Sequence, residues 1–147
     1  MTPARVRGYE PRLDGLLILV VEDHADSREV LRQFLESLGA EVLLAQDGID
    51  ALERLESRIP DVVLTDIRMP RMDGVQLALR MKHHVRWARV PMIAVTAYNT
   101  PADWRTTLEA GFDGHLEKPL NFDVLLSTVS RLARRNRTRP RPPRRPR

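Results

Sequence analysis

The stretch VVLTDIRMPRMDG, at residues 62–74, runs from apolar residues into an aspartate and then into residues that form turns. The segment before Asp66 is apolar apart from one threonine, which is typical of a strand buried on both faces of a sheet. Met69-Pro70 and Asp73-Gly74 follow, and proline and Asp-Gly pairs favour turns. A carboxylate between a buried strand and a loop indicates a functional group at the edge of a sheet.

Similar apolar runs alternate with helical patterns along the rest of the chain. Strands are predicted at residues 16–21, 41–45, 61–66, 92–96 and 115–118. A helix is predicted after each strand, because apolar residues recur there at the spacing of one helix face. This pattern predicts an α/β fold, in which five helices cover both faces of a doubly wound, five-stranded parallel sheet. One common strand order of this fold, 2-1-3-4-5, makes the first and third strands neighbours.

The size and composition suit one small domain. The chain has 147 residues, of which 42% are hydrophobic, and this is enough for a packed core. It has no cysteine, so disulfides and cysteine-bound metals are excluded. We find neither an apolar run of about 20 residues, which a membrane span needs, nor the apolar centre of a secretory signal. We therefore expect a cytoplasmic protein with a leader at 1–14, a folded domain at 15–134 and a disordered tail at 135–147.

The net charge of +4 is unevenly distributed along the chain. From Arg131 onward there are nine arginines and no acidic residue, whereas residues 1–130 hold 15 basic and 20 acidic residues. The basic character belongs to the tail, so it does not indicate that the domain itself binds nucleic acid. Two interpretations of the tail remain open. It contacts nucleic acid or an acidic lipid surface through its charge, or it is a solvated end.

Acidic residues also end the first predicted strand, where Glu22 and Asp23 follow LLILVV. If the first and third strands are neighbours, these two carboxylates meet Asp66, and their mutual repulsion favours a bound cation. Mg²⁺ prefers such oxygen ligands, and a carboxylate beside it can attack phosphorus to form an aspartyl phosphate. The ends of the fourth and fifth strands supply the hydroxyl of Thr96 and the ammonium of Lys118, which can neutralise developing charge.

Each of these residues also has a simpler interpretation. Asp66 and the pair Glu22-Asp23 are residue types that cap turns and helices. Thr96 is β-branched and suits any strand, and Lys118 carries a charge that water solvates well. The phosphoryl-transfer interpretation therefore depends on all of them lying at one edge of the sheet.

Four motifs in this order resemble the receiver domain of two-component response regulators, over roughly residues 15–134. They are ED at 22–23, LTDIRMPRMDG around Asp66, AVTA around Thr96 and KP at 118–119. The phrase AGFDGHLEKP, at residues 110–119, is similar to receivers attached to hybrid sensor kinases. The resemblance implies a flavodoxin-like fold with the strand order 2-1-3-4-5.

The resemblance also implies a donor and a metal. Asp66 would take a phosphoryl group from a phosphohistidine on a sensor histidine kinase or a histidine phosphotransfer protein. Mg²⁺ would be bound by Asp23, Asp66 and the backbone carbonyl of Arg68, with Glu22 helping through water.

The resemblance further implies a switch. Thr96 and Lys118 would hold the phosphoryl oxygens, and inward movement of Thr96 would reshape the surface of the fourth helix and fifth strand. Family members usually have Tyr or Phe three residues before the lysine as the rotating partner of the threonine. Here that residue is His115, whose imidazole can also rotate and can titrate near neutral pH.

The function that we predict is a stand-alone phosphoacceptor that signals through an unknown downstream protein. It would assist its own phosphorylation and dephosphorylation without being an enzyme in the ordinary sense. A Mg²⁺-dependent phosphoaspartate hydrolase would need a second aspartate where Arg68 stands, which disfavours that alternative. The other alternative is a nucleic-acid-binding module led by the arginine tail.

Overall fold

The computed structural model describes residues 12–97 and 100–138, and within them strands and helices alternate. The strands are β1 (Leu17–Val21), β2 (Glu41–Ala45), β3 (Val62–Asp66), β4 (Met92–Thr96) and β5 (Gly114–Glu117). The helices are α1 (Ala25–Ser37), α2 (Gly48–Ser57), α3 (Gly74–Lys82), α4 (Pro101–Glu109) and α5 (Phe122–Thr138).

The five strands form one parallel sheet in the order β2-β1-β3-β4-β5. Val21, at the end of β1, lies opposite Thr65 of β3, and Asp66 lies opposite Val95 of β4. The prediction of a doubly wound α/β fold with this strand order is confirmed. In such a sheet the crevice beyond the carboxyl ends of β1 and β3 is where ligands bind.

Two apolar clusters cover the two faces of the sheet. Ile18 and Val20 of β1 face the cluster that α1 and α5 complete, whereas Leu19 and Val21 face the cluster of α2 and α3. All four of these side chains are buried. The first strand is therefore a continuous apolar run rather than an alternating one, because helices cover both of its faces.

Side-chain caps start helices at the carboxyl edge of the sheet. Asp47 accepts a hydrogen bond from the backbone N–H of Asp50 at the start of α2. Asp73 and Thr100 each form a reciprocal capping box at the starts of α3 and α4. The caps satisfy backbone donors that the first helical turn leaves unpaired, and they fix the loops that border the crevice.

The structure differs from the predicted boundaries at both ends of the domain. Leu13 is fully buried, and its N–H donates to the carbonyl of Leu38 (2.8 Å), so the fold begins within the predicted leader; residues 1–11 lie outside the described residues. At the other end, α5 continues to Thr138, so the prediction of disorder is wrong for residues 135–138. The rest of the predicted tail, 139–147, lies outside the described residues.

Side chains of the last turns explain the greater length of α5. The guanidinium of Arg137 pairs with both carboxylate oxygens of Asp61, at 2.8 and 2.9 Å, and the guanidinium of Arg134 donates to the carbonyl of Arg12. These contacts join the end of α5 to the amino-terminal edge of the sheet. None of the helices in the described part of the chain is long and apolar enough to cross a membrane.

Candidate functional site

Three carboxylates meet at the carboxyl edge of the sheet. Glu22 and Asp23 directly follow β1, and Asp66 is the last residue of β3, which is the neighbour of β1. Each offers an oxygen, and these oxygens all lie within 4.8 Å of one another. Glu22 is buried, Asp66 is half-buried and Asp23 is exposed, so the cluster opens to solvent on the Asp23 side.

Lys118 carries the opposite charge into this cluster. Its Nζ lies 3.0 Å from Oδ2 of Asp66 and 3.4 Å from Oε2 of Glu22. Burial on its own would lower the pKa of Lys118, but the hydrogen bond and charge of Asp66, together with Glu22, raise it above its ordinary value. The ammonium is therefore held in its charged form between the two carboxylates.

The pKa of Glu22 is also raised, first because the side chain is buried and second because of the charge of Asp66. The charge of Lys118 and a hydrogen bond from the backbone N–H of His24 oppose this rise. Three hard oxygen donors with unfavourable mutual repulsion form a donor set that a small divalent cation such as Mg²⁺ suits.

A backbone N–H and the Lys118 side chain hold Asp66 in one orientation. The N–H of Ile67 donates to Oδ1 of Asp66 (2.7 Å), while Oδ2 accepts from Lys118, so each carboxylate oxygen has one donor. The loop after the strand folds back tightly, because the N–H of Gly74 donates to the carbonyl of Ile67 at 2.7 Å. A Cβ on Gly74 would lie 2.3 Å from the carbonyl oxygen of Asp66, so a glycine is needed there. The sequence indicated this glycine only as a turn residue.

The remaining predicted ligands of the phosphoryl group and the metal lie near the same edge. Thr96 is buried at the end of β4, one residue after Val95, which lies opposite Asp66 in the sheet. The carbonyl of Thr96 accepts a hydrogen bond from the N–H of Lys118 (2.9 Å). Lys118 follows β5 rather than ending it, because that strand lies one residue earlier than predicted. Arg68 is exposed in the loop, two residues after Asp66.

His115 lies on β5, half-buried against α4. Its ring stacks on the indole of Trp104, with ring centroids 3.8 Å apart and ring planes within 17°. Burial lowers the pKa of His115 below its ordinary value, while the charges of Glu117 and Asp103 oppose this effect. Any rotation of His115 must therefore break a stack with a residue of α4, a contact that no motif in the sequence indicated.

An ion pair that the sequence did not reveal fastens the loop after Asp66. The guanidinium Nε of Arg71 donates to Oδ2 of Asp47 (2.7 Å), and Arg71 has a positive φ of 66°. Asp47 is buried and also caps α2. The loop is thus joined to the start of α2. The two partners are 24 residues apart and form no recognisable motif.

Asp47→Ala is expected to lower the free energy of unfolding at pH 7 by about 1–2 kcal/mol, because it removes a helix cap. Burial alone would raise the pKa of Asp47, but the hydrogen bonds from Arg71 and the N–H of Asp50 lower it below its ordinary value. A lowered pKa means that this stabilisation is complete above the unfolded pKa, near 3.9, and is lost as pH falls through the folded value. Urea unfolding at pH 7 and pH 3 should therefore show a smaller difference at pH 3.

Asp14→Ala is the control for this comparison, because Asp14 is an exposed aspartate paired with Arg12 on the surface. It should change stability little at either pH. An Asp47→Ala variant as stable as the native chain at pH 7 would show that the pair with Arg71 and the cap are unimportant.

Comparison with known proteins agrees with this fold. A model of the response regulator receiver domain family matches residues 18–130. The chain is also 40% identical over 124 residues to the sensor histidine kinase RcsC of Salmonella typhimurium, which covers 84% of this chain but 13% of that kinase. The chain therefore belongs to the response regulator receiver domain family.

Solved receiver structures superimpose on it closely. The receiver domain of a signal transduction histidine kinase from Syntrophus aciditrophicus has a TM-score of 0.80 and 32% identity, covering 86% of this chain and 96% of that domain. The receiver domain of the sensor histidine kinase PA1611 from Pseudomonas aeruginosa PAO1, described with a magnesium ion in its active site cleft, has a TM-score of 0.75 and 34% identity. It covers 81% of this chain and 98% of that domain.

Proposed function

We propose that the chain accepts a phosphoryl group on Asp66 from a phosphohistidine of a sensor histidine kinase or a histidine phosphotransfer protein, in a two-component phosphorelay. The observation that carries this proposal is the meeting of three carboxylates with the ammonium of Lys118 at the switch point of the sheet. Membership of the receiver family supports the same donor class.

The metal in this proposal is Mg²⁺. Asp23, Asp66 and the backbone carbonyl of Arg68 would hold it, and Glu22 would help through water. When bound, the metal neutralises carboxylate charge and stabilises phosphoryl oxygens. The solved PA1611 receiver domain, with magnesium in its cleft, supports this choice.

Three side chains and one backbone N–H would carry out the transfer itself. A carboxylate oxygen of Asp66 attacks phosphorus, and the phosphorus–nitrogen bond to the donor histidine breaks as the new phosphorus–oxygen bond forms. Lys118, already within hydrogen-bonding distance of Asp66, stabilises charge on the transferred group, and the hydroxyl of Thr96 binds another phosphoryl oxygen. The backbone donor at Ile67 keeps the acceptor oriented.

The output in this proposal is a change in the surface formed by α4 and β5. Inward movement of Thr96 would be followed by rotation of His115, and the stack of His115 on Trp104 couples that rotation to α4. A downstream protein that recognises one arrangement of this surface would then bind differently to the two phosphorylation states.

The proposal is tested by incubating the native chain with acetyl phosphate and Mg²⁺ and measuring its intact mass. We expect the mass to increase by one phosphoryl group, and we expect hydroxylamine, which cleaves acyl phosphates, to remove it. The same incubation with EDTA and a sodium salt of matched ionic strength is expected to give no increase, because the carboxylates then repel the donor. Failure to gain mass with Mg²⁺, or equal gain without it, would reject the metal-dependent phosphoacceptor.

A further inference from the structure

A groove lies between α2 and the segment that follows α3, away from the carboxylate cluster. Its volume is about 410 Å³. Residues of both walls line it: Ile49, Leu52, Glu53, Glu56, Arg80, His84 and Trp87. We call it the α2–α3 groove. None of its residues takes part in the proposed phosphoryl transfer.

The aromatic wall of the groove contains a donor that the described residues do not satisfy. Trp87 is only 5% exposed, and its indole Nε1 is buried without a hydrogen-bond acceptor among the described residues. The ring of His84 stacks on the indole, with centroids 3.6 Å apart. Because that nitrogen is itself buried, an occupant of the groove meets the faces and edges of the two rings rather than the donor.

The opposite wall of the groove is acidic. Glu53 and Glu56 are exposed on α2, three residues apart, and therefore lie on neighbouring turns of one helix face. Arg86 approaches Glu56 only to 3.7 Å, and both of these side chains are more than half exposed. An occupant with flat apolar groups and positive charges would complement both walls.

A segment with these properties follows α5 directly. Residues 139–147 consist of five arginines and four prolines. Proline-rich chains favour an extended helix whose backbone carbonyls are not used in internal hydrogen bonds. Nine residues in that form span about 28 Å.

The end of α5 places this segment within reach of the groove. Arg137 is paired with Asp61 (2.8 Å), and Asp61 lies five residues after Glu56 along the chain. Five residues span at most about 17 Å. The extended length of the segment exceeds this separation, so the segment is long enough to reach the Glu56 end of the groove.

We propose that residues 139–147 dock into the α2–α3 groove of their own chain. Prolines pack on the rings of Trp87 and His84, as proline-rich segments do in aromatic-lined grooves. Arginines of the segment pair with the exposed carboxylates of Glu53 and Glu56. This docking involves neither the metal nor Asp66, so it stands or falls separately from the proposed function.

The test uses the full chain, which contains no cysteine and can be labelled at one introduced site. Arg147→Cys is modified with a nitroxide, and ¹⁵N spectra are recorded before and after the label is reduced. The chain has two tryptophans, at 87 and 104, so two indole N–H signals report directly. We expect the nitroxide to remove most of the intensity of the Trp87 signal and of the Leu52 amide, and to leave the Trp104 signal nearly unchanged.

A pair of double variants separates docking from proximity. Glu53→Gln with Glu56→Gln is expected to restore the Trp87 signal, whereas Glu109→Gln with Glu117→Gln, which removes two exposed charges elsewhere, is not. Dilution of the labelled chain with unlabelled protein should change nothing, because docking is intramolecular. An unbroadened Trp87 signal, equal broadening in the Glu53/Glu56 variant, or loss of broadening on dilution would each overturn the proposal. The proposal would also be overturned if the groove signals stayed unchanged and the signals of the segment shifted only when DNA was added.

Discussion

An Asp66→Asn variant is expected to take up no phosphoryl group from acetyl phosphate under conditions that modify the native chain. The proposed reaction needs an ionised carboxylate oxygen as its nucleophile, and a carboxamide is a far weaker one. The substitution also removes one of the three carboxylates whose oxygens lie within 4.8 Å of one another, so Mg²⁺ binding should weaken as well. Intact mass after the same incubation measures the result.

The variant should keep the native fold, since asparagine has the shape of aspartate and can still accept the Ile67 N–H that Asp66 accepts at 2.7 Å. Asp113→Asn is the matched control, because Asp113 is also a carboxylate beside a strand end and also lies near a lysine, with Lys82 at 3.7 Å. That variant should be modified like the native chain. A phosphoryl adduct on Asp66→Asn equal to the native one would move the acceptor to another side chain.

The sequence was sufficient to predict the sheet and the meeting of the acidic residues. Apolar runs such as 62–65 must be buried on both faces, and parallel strands with short crossovers bring all their carboxyl ends to one edge. Polar residues that follow such runs, as Asp23, Asp66 and Lys118 do, therefore converge even though 95 residues separate the first from the last. The burial of the strands and the convergence of these residues at one edge both follow from the alternation of apolar strands and helices.

The features that the sequence did not reveal depend on contacts between side chains on different elements. The pair Asp47–Arg71 and the stack of His115 on Trp104 join positions with no motif or periodic relation. The length of α5 also depends on tertiary contacts. A run of arginines has no apolar face to bury, so the sequence alone did not predict that the helix continues. Arg137 makes it helical to its end by pairing with Asp61 across the sheet edge.

Lys118→Met is expected to destabilise the metal-free chain and to make its stability more dependent on magnesium. Methionine keeps the length of the side chain but removes the ammonium that lies 3.0 Å from Asp66 and 3.4 Å from Glu22. The two carboxylates then face each other uncompensated. A third of the Lys118 side chain is exposed, so water screens part of the loss, and we expect a decrease of about 1–2 kcal/mol in EDTA at pH 7.

Urea unfolding with and without Mg²⁺ measures this effect. The metal should restore more stability to the variant than to the native chain, because it supplies the positive charge that the lysine no longer provides. The deficit should also shrink as pH falls and Glu22 takes up a proton. This direction follows from the raised pKa of Glu22, which burial and the charge of Asp66 both favour.

The same variant should react with acetyl phosphate about 100-fold more slowly even when saturated with Mg²⁺, because one prepositioned donor to the transferred group is missing. Lys82→Met provides the control, since Lys82 is a similarly half-buried lysine, paired with Asp113 at 3.7 Å and away from the cluster. It should lose neither the magnesium response nor the reaction rate. If Lys118→Met were as stable as the native chain in EDTA and reacted as fast, the ammonium would neither neutralise the carboxylates nor act on the phosphoryl group. The charge balance at the sheet edge would then require another cation.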